Sequence, residues 1–193
     1  HRLPVLLLLA ALLAFVPPSA SSDSVLVGRG VSRALARERA RSIADVRYDL
    51  TFDVTARDSA VGRVVVTFTR RSAGDVILDF RGRRLGTIAA NGLQIAQPRF
   101  NGAHLRLPSS VLVVGRNSIV LEFVADIAAA GASIIRFTDR TDGSEYLYTL
   151  LVPADANQLF PCFDQPDLKA RVALTLRARP AWTVVANGSL ART

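Results

Sequence analysis

The sequence predicts an all-β domain built of antiparallel sheets packed together, and three observations carry that expectation. Apolar and polar residues alternate with period two over several long stretches. Turn residues (Gly, Asn, Asp) recur every several positions between those stretches. No long segment of helical period separates them, which is the pattern of antiparallel sheets rather than of βαβ units.

The first strand is read at Val46–Val54, where Val46, Tyr48, Leu50, Phe52 and Val54 alternate with Arg47, Asp49, Thr51 and Asp53. Such alternation marks one buried and one wet face. Arg57-Asp58-Ser59 reads as a turn, and Val64, Val66 and Phe68 share a face in a second strand over Val61–Thr69. Short strands follow at Val76–Phe80 and Leu85–Ala89, the latter entering the Asn91-Gly92 turn. Asn101-Gly102 precedes another at His104–Leu107, and Gly115-Arg116-Asn117 precedes Ser118–Val124, in which Ile119, Leu121 and Phe123 face one way. Ile134–Thr138, Glu145–Val152, Arg171–Arg177 and Thr183–Ala186 complete the set. Tyr48, Leu50, Phe52, Phe68, Leu121 and Phe123 are expected in the core. Ahead of the first strand, Ser32 is placed to cap a short helix through Ile43, rich in Ala and Arg and with a thin apolar face.

Three regions are expected: a signal peptide over residues 1–22, a lead-in over 23–45, and the β-domain over 46–193. Arg2 followed by the unbroken apolar run Val5–Val16 and then Pro17, Pro18 and small residues is the pattern of a cleaved export signal. Twelve apolar residues fall short of the ~20 needed to span a bilayer, so no stable membrane span is expected. The expected destination is periplasmic or extracellular. Cys162 is the only cysteine, so no intrachain disulfide forms and stability rests on core burial. Flanked by Pro161 and Phe163, it reads as a small buried hydrophobe rather than a nucleophile.

The net charge of +8 raises the question of nucleic acid. Yet every basic residue except Lys169 is an arginine, scattered through strands and turns apart from a denser patch at Arg33, Arg37, Arg39 and Arg41. That skew fits GC-rich coding, and no nucleic-acid partner is expected. No catalytic, substrate-binding or metal residue is assigned either. The only histidines are His1 and His104. A hydrolytic zinc site needs several imidazole or carboxylate ligands with a carboxylate to manage the activated water, and His104 with Cys162, far apart in the chain, cannot close a tetrahedral site. His104 reads as a strand histidine beside no nucleophile motif. Gly28-Arg29-Gly30 lacks the strand, helix and further glycine of a phosphate loop. Asn187-Gly188-Ser189 matches a glycosylation sequon, but Asn-Gly is equally a tight turn.

Glu145 to Gly188 is more specific: a strand, a Pro153-Ala154-Asp155 bend, the segment Phe160-Pro161-Cys162-Phe163-Asp164-Gln165-Pro166, Lys169-Ala170 opening a strand, then Pro180, Trp182 and a final Asn-Gly. Read for itself, Asp164 is placed to accept backbone N–H groups and fix an irregular loop, with Phe160 and Phe163 plugging the core below. The order of these features closely resembles the end of the N-terminal domain of the aminopeptidase N family of zinc metallopeptidases. Arg37–Asp53 is similar to that family's opening region, and the likeness extends over roughly residues 32–190. The resemblance implies a saddle-shaped β-domain, noncatalytic alone, that caps a thermolysin-like catalytic domain on the same polypeptide; zinc and peptide substrate belong to that assembly. The 193-residue chain is accordingly expected to be incomplete at its C-terminus.

In that family the strand before the Pro-Ala-Asp bend delivers a polar residue and then a carboxylate that grips the substrate's α-amino group. Here those places hold Leu150 and Val152. The implied parent hydrolyses N-terminal residues from peptides. The departure keeps two alternatives in play: a stand-alone secreted binding module, or an inactive homologue.

Overall fold

The computed structural model describes residues 28–191. The expected signal region and the first residues of the lead-in therefore lie outside the described residues.

Helix α1 (Arg33–Ser42) begins where Ser32, in extended backbone, accepts the Leu35 N–H at 3.2 Å, and it runs directly into strand β1 (Ile43–Asp53). Its inward stripe is one turn long, Leu35 and Arg39, spaced i and i+4, both only 2% exposed. The remaining elements are β2 (Ser59–Arg70), β3 (Val76–Asp79), β4 (Arg84–Ala90), β5 (Leu93–Gln94), β6 (Arg99–Phe100), β7 (His104–Leu107), a 3₁₀ turn (Ser109–Val111), β8 (Gly115–Ala128), β9 (Ile134–Thr138), β10 (Glu145–Thr149), α2 (Ala156–Leu159) and β11 (Ala170–Arg177).

A large sheet runs in the order β10-β9-β8-β2-β1-β11, with β4 also pairing the long strand β8 and β5 pairing β4. A small sheet has the order β3-β7-β6. The pairing is mainly antiparallel, as the hairpin turns dictate. Two joins are parallel: β1 with β11, over Val46–Asp53 against Ala170–Arg177, and a short contact of β8 with β9. The first of these joins the N-terminal strand to the last strand among the described residues.

The core lies between one face of the large sheet and the layer formed by the small sheet with the Phe160–Phe163 segment. Tyr48, Leu50, Phe52, Phe68, Leu121 and Phe123 are all buried, as the alternation requires. Edge-to-face pairs join the layers: Phe80 with Phe123 at 5.7 Å and Phe68 with Phe163 at 5.5 Å. Gly62 on β2 is dictated by this packing, since a Cβ there would lie 2.3 Å from the Phe123 ring.

Strand β1 starts at Ile43, within the expected lead-in and three residues ahead of Val46, and two other expected strands change. Pairing of β10 stops at Thr149, because the chain then turns: Leu150 N–H donates to Ser133 C=O and Asp155 N–H to Leu151 C=O. Thr183–Ala186 forms no strand; after Pro180 and the Arg179–Trp182 turn it meets no sheet edge, and Val184 and Val185 stay exposed. Among the described residues β11 is the last strand on that side, with all eight residues exposed, Val172, Leu174 and Leu176 among them.

Candidate functional site

The Phe160–Pro166 segment is irregular backbone held from several directions by buried polar groups. At its centre is Asp79, the last residue of β3, 1% exposed. Arg39 reaches from α1 and donates to both Asp79 oxygens at 2.7 Å, and donates again to Ile77 C=O at 2.8 Å. This is the bidentate fork that guanidinium geometry favours. His104, entering from β7, places Nδ1 2.8 Å from Asp79 Oδ1. Asp164 N–H donates to Asp79 Oδ2 at 3.0 Å, and the backbones of Asp79 and Cys162 exchange two hydrogen bonds. One carboxylate thus ties α1, β3, β7 and the loop together.

Burial by itself would raise the Asp79 carboxyl. Hydrogen bonds from His104 and Arg39, the Arg39 charge and the Asp164 N–H outweigh it, and the group sits below its ordinary value. Asp164 behaves oppositely. Burial raises its carboxyl, aided by the nearby Asp79 and Asp155 charges, although its Oδ2 accepts from Asn157 N–H and Nδ2 at 3.1 and 2.7 Å. Asp164 therefore fixes the loop through Asn157, in the manner expected of it. Phe163 N–H donates to the buried Tyr48 hydroxyl at 2.9 Å, and the Tyr48 ring meets Phe160 edge-on at 5.3 Å. Gln165 Nε2 donates to Ala36 C=O on α1 at 2.9 Å.

His104 and Cys162, remote in sequence, are both brought to Asp79, yet they make no metal site. The two Asp79 oxygens are taken by Arg39, and burial pushes the Cys162 thiol well up, so the thiolate that would ligate is disfavoured. Among the described residues no three His, Cys, Asp or Glu side chains converge. The donor set around Asp79 does not fit zinc. No helix among the described residues is long and apolar enough to cross a membrane.

The loop braces the turn that follows β10, where two exposed apolar side chains stand: Leu150 at 54% and Val152 at 75% exposure. Behind them, Asp155 accepts from Arg81 Nη2 at 2.8 Å, Ser133 Oγ donates to Asp155 C=O at 2.7 Å, and Arg81 Nε donates to Asn157 Oδ1. On the outer flank, Glu145 pairs with Arg136 at 2.7 Å, and Trp182 lies under the guanidinium carbons of Arg136 and Arg179. Strand β10 is an edge strand, so the turn after it is presented at the rim of the large sheet.

Sequence reasoning found the loop, Asp164 and the two phenylalanines, and missed Asp79, Arg39 and Tyr48 as its supports. Signals for them existed: a carboxylate ending the apolar run Val76–Leu78, and an arginine one helical turn from Leu35.

Residues 45–193 match the Peptidase M1 N-terminal domain family. The chain is 33% identical over 168 residues to aminopeptidase N of Streptomyces lividans, covering 83% of this chain and 19% of that protein. Over 60 residues it is 40% identical to the mitochondrial aminopeptidase 2 of Saccharomyces cerevisiae, covering 30% of this chain and 6% of that protein. It thus spans about a fifth or less of the curated relatives it matches. Among solved structures, native yeast LTA4 hydrolase aligns with a TM-score of 0.60 at 17% identity, covering 72% of this chain and 23% of that one. The M1 zinc metallopeptidase of Deinococcus radiodurans aligns at 0.57 and 18%, covering 73% and 33%. The fold, the Phe160–Pro166 loop and these matches agree: the chain belongs to the Peptidase M1 family, as its N-terminal domain.

Proposed function

We propose that this domain caps the active site of a zinc-dependent catalytic domain carried on the same polypeptide, and that the whole enzyme removes N-terminal residues from peptides. The domain is noncatalytic alone. The observation that carries this reading is the braced turn at Leu150–Pro153: a hydrogen-bonded rim, exposed on this chain, with the clamp on Phe160–Pro166 behind it. The uncovered Val172, Leu174 and Leu176 on β11 add a second surface suited to further polypeptide. Zinc, bound by the catalytic domain, would activate the hydrolytic water; the role of this chain is to shape and dry one wall of the site.

Family resemblance puts a carboxylate that holds the substrate's α-amino group at position 152, where this chain has Val152. Either a carboxylate of the catalytic domain takes that role, or the exopeptidase specificity of the parent is altered or lost. In the full-length enzyme, Val152→Glu should raise kcat/KM for substrates with a free α-amino group by about tenfold or more, the scale of a partly desolvated charge pair. N-acetylated peptides should be unaffected. No change for the free-amine substrates would remove this turn from the active site. The apolar pair Leu150 and Val152 also favours a second reading, an inactive homologue serving partner contact; a zinc-loaded full-length protein without peptidase activity would establish it.

We also propose export, on Arg2 and the Val5–Val16 run. The N-terminus of the protein recovered outside the cytoplasm should map near Ala20–Ser22. An intact N-terminus on protein retained in the cytoplasm would refute this.

A further inference from the structure

A groove of about 760 Å³ opens on the large sheet where β1, β2, β8 and β11 come together, opposite in chemistry to the apolar rim at β10. Four cations line it, Arg47, Arg116, Lys169 and Arg171, against one carboxylate, Asp45. Among the described residues none of the four has an ion-pair partner, whereas Arg81, Arg83, Arg106 and Arg136 elsewhere on the domain all do. Arg47 and Arg171 are paired directly across the parallel strands β1 and β11, an arrangement of like charges that costs stability. The hydroxyl-bearing Thr67 lies across from Arg47 on the other side, and Arg116 across from Thr69.

The backbone is also irregular at this place. Asp45 has φ of +53°, and the β1–β2 register shifts between Ala44 and Arg47. A non-glycine residue in the left-handed region, within a bulge, re-aims the side chains beside it and is a feature that marks functional positions. Concavity, uncompensated like charges facing each other and a bulge therefore coincide in one place. The volume falls within the range of small-molecule sites, but the lining is cationic rather than apolar.

We propose that this groove binds a compact polyanion carrying at least two tetrahedral oxyanion groups, phosphate or sulfate, on Arg47, Arg116, Lys169 and Arg171. Guanidinium forks match such groups two hydrogen bonds at a time, and the threonine hydroxyls supply neutral donors. Clustered anionic groups gain over a single one because they offset the cations together. The groove lies at the opposite end of the sheet order from the turn after β10, and its cation on β11, Arg171, stands at a position other than the apolar Val172, Leu174 and Leu176.

Calorimetric titration of the full-length polypeptide with tripolyphosphate, orthophosphate, a disulfated disaccharide and a Glu-rich peptide tests this. Tripolyphosphate should bind saturably and at least tenfold more tightly than orthophosphate, with affinity falling as salt rises. Arg47→Gln and Arg171→Gln should each weaken it about tenfold. Arg63→Gln, an exposed change on the same face outside the groove, should leave it unchanged. Comparison with the disaccharide decides between a phosphate and a sulfate source. Three results would overturn the proposal: no saturable binding, equal loss in Arg63→Gln and Arg47→Gln, or tighter binding of a Glu-rich peptide than of either oligoanion. The last would make the groove a protein-docking surface. Circular dichroism of each variant, expected to match the parent, separates loss of binding from loss of fold.

Discussion

Asp79→Ala is the substitution that exposes the logic of the fold. It removes the two 2.7 Å bonds from Arg39, the 2.8 Å contact with His104 and the 3.0 Å acceptor for Asp164 N–H. The Arg39 side chain is 3% exposed, so its charge cannot reach water without moving α1. Removing one member of a buried ion pair costs about 3–5 kcal/mol, because the orphaned charge remains. For a domain of this size that corresponds to about 6–20 °C in Tm. Replacing both partners with apolar residues, as in Arg39→Met with Asp79→Leu, should cost less than Asp79→Ala alone, since no charge is left unpaired. Denaturant unfolding of the parent and these variants, with circular dichroism as readout, measures both quantities. An Asp79→Ala variant within about 1 kcal/mol of the parent would refute the claim that one carboxylate holds the loop in place.

Other substitutions probe neighbouring links. Gly62→Ala would push a methyl into the Phe123 ring, 2.3 Å from where its Cβ must lie; overpacking of this kind costs about 1–3 kcal/mol, read as a lowered denaturation midpoint. Tyr48→Phe leaves Phe163 N–H without its acceptor in a buried position and should cost about 1–3 kcal/mol, with no change in circular dichroism. Acidification supplies an independent check on Asp79. Its folded carboxyl titrates below the unfolded value of about 3.9, so its contribution is present above that pH and is lost as pH falls further. Asp79→Asn should therefore flatten the acid limb of stability below about pH 4. The raised Asp164 acts in the opposite sense, its contribution being fully present at low pH and lost as pH rises through its folded value.

The strands were legible because their chemistry is local. Alternation in Val46–Val54 and Ser118–Val124 requires no knowledge of partners, and Asn91-Gly92 forms the turn its φ values of 50° and 84° demand. Ser32 likewise announces the start of α1. What escaped depends on contacts far apart in sequence. Arg39 lies within a run of arginines; its spacing from Leu35 marks the inward stripe, but its partner Asp79 comes 40 positions on. His104 could be placed on a strand but not beside that carboxylate. The parallel entry of β11 depends on the route of the intervening chain, which no local pattern encodes. Local composition was also a poor guide at Thr183–Ala186, where β-branched residues supply strand propensity but no sheet edge is available to accept it.

If this domain is one wall of a metallo-aminopeptidase, the chemistry resides further along the polypeptide. The decisive comparison is to express the full-length open reading frame beside the 193-residue chain and to measure zinc content and hydrolysis of an aminoacyl amide by both. A downstream H-E-x-x-H motif, one tightly held zinc and turnover are expected in the full-length protein, with neither zinc nor turnover in the chain alone. Stoichiometric zinc or turnover in the isolated chain would contradict this assignment, as would a full-length protein that carries no zinc.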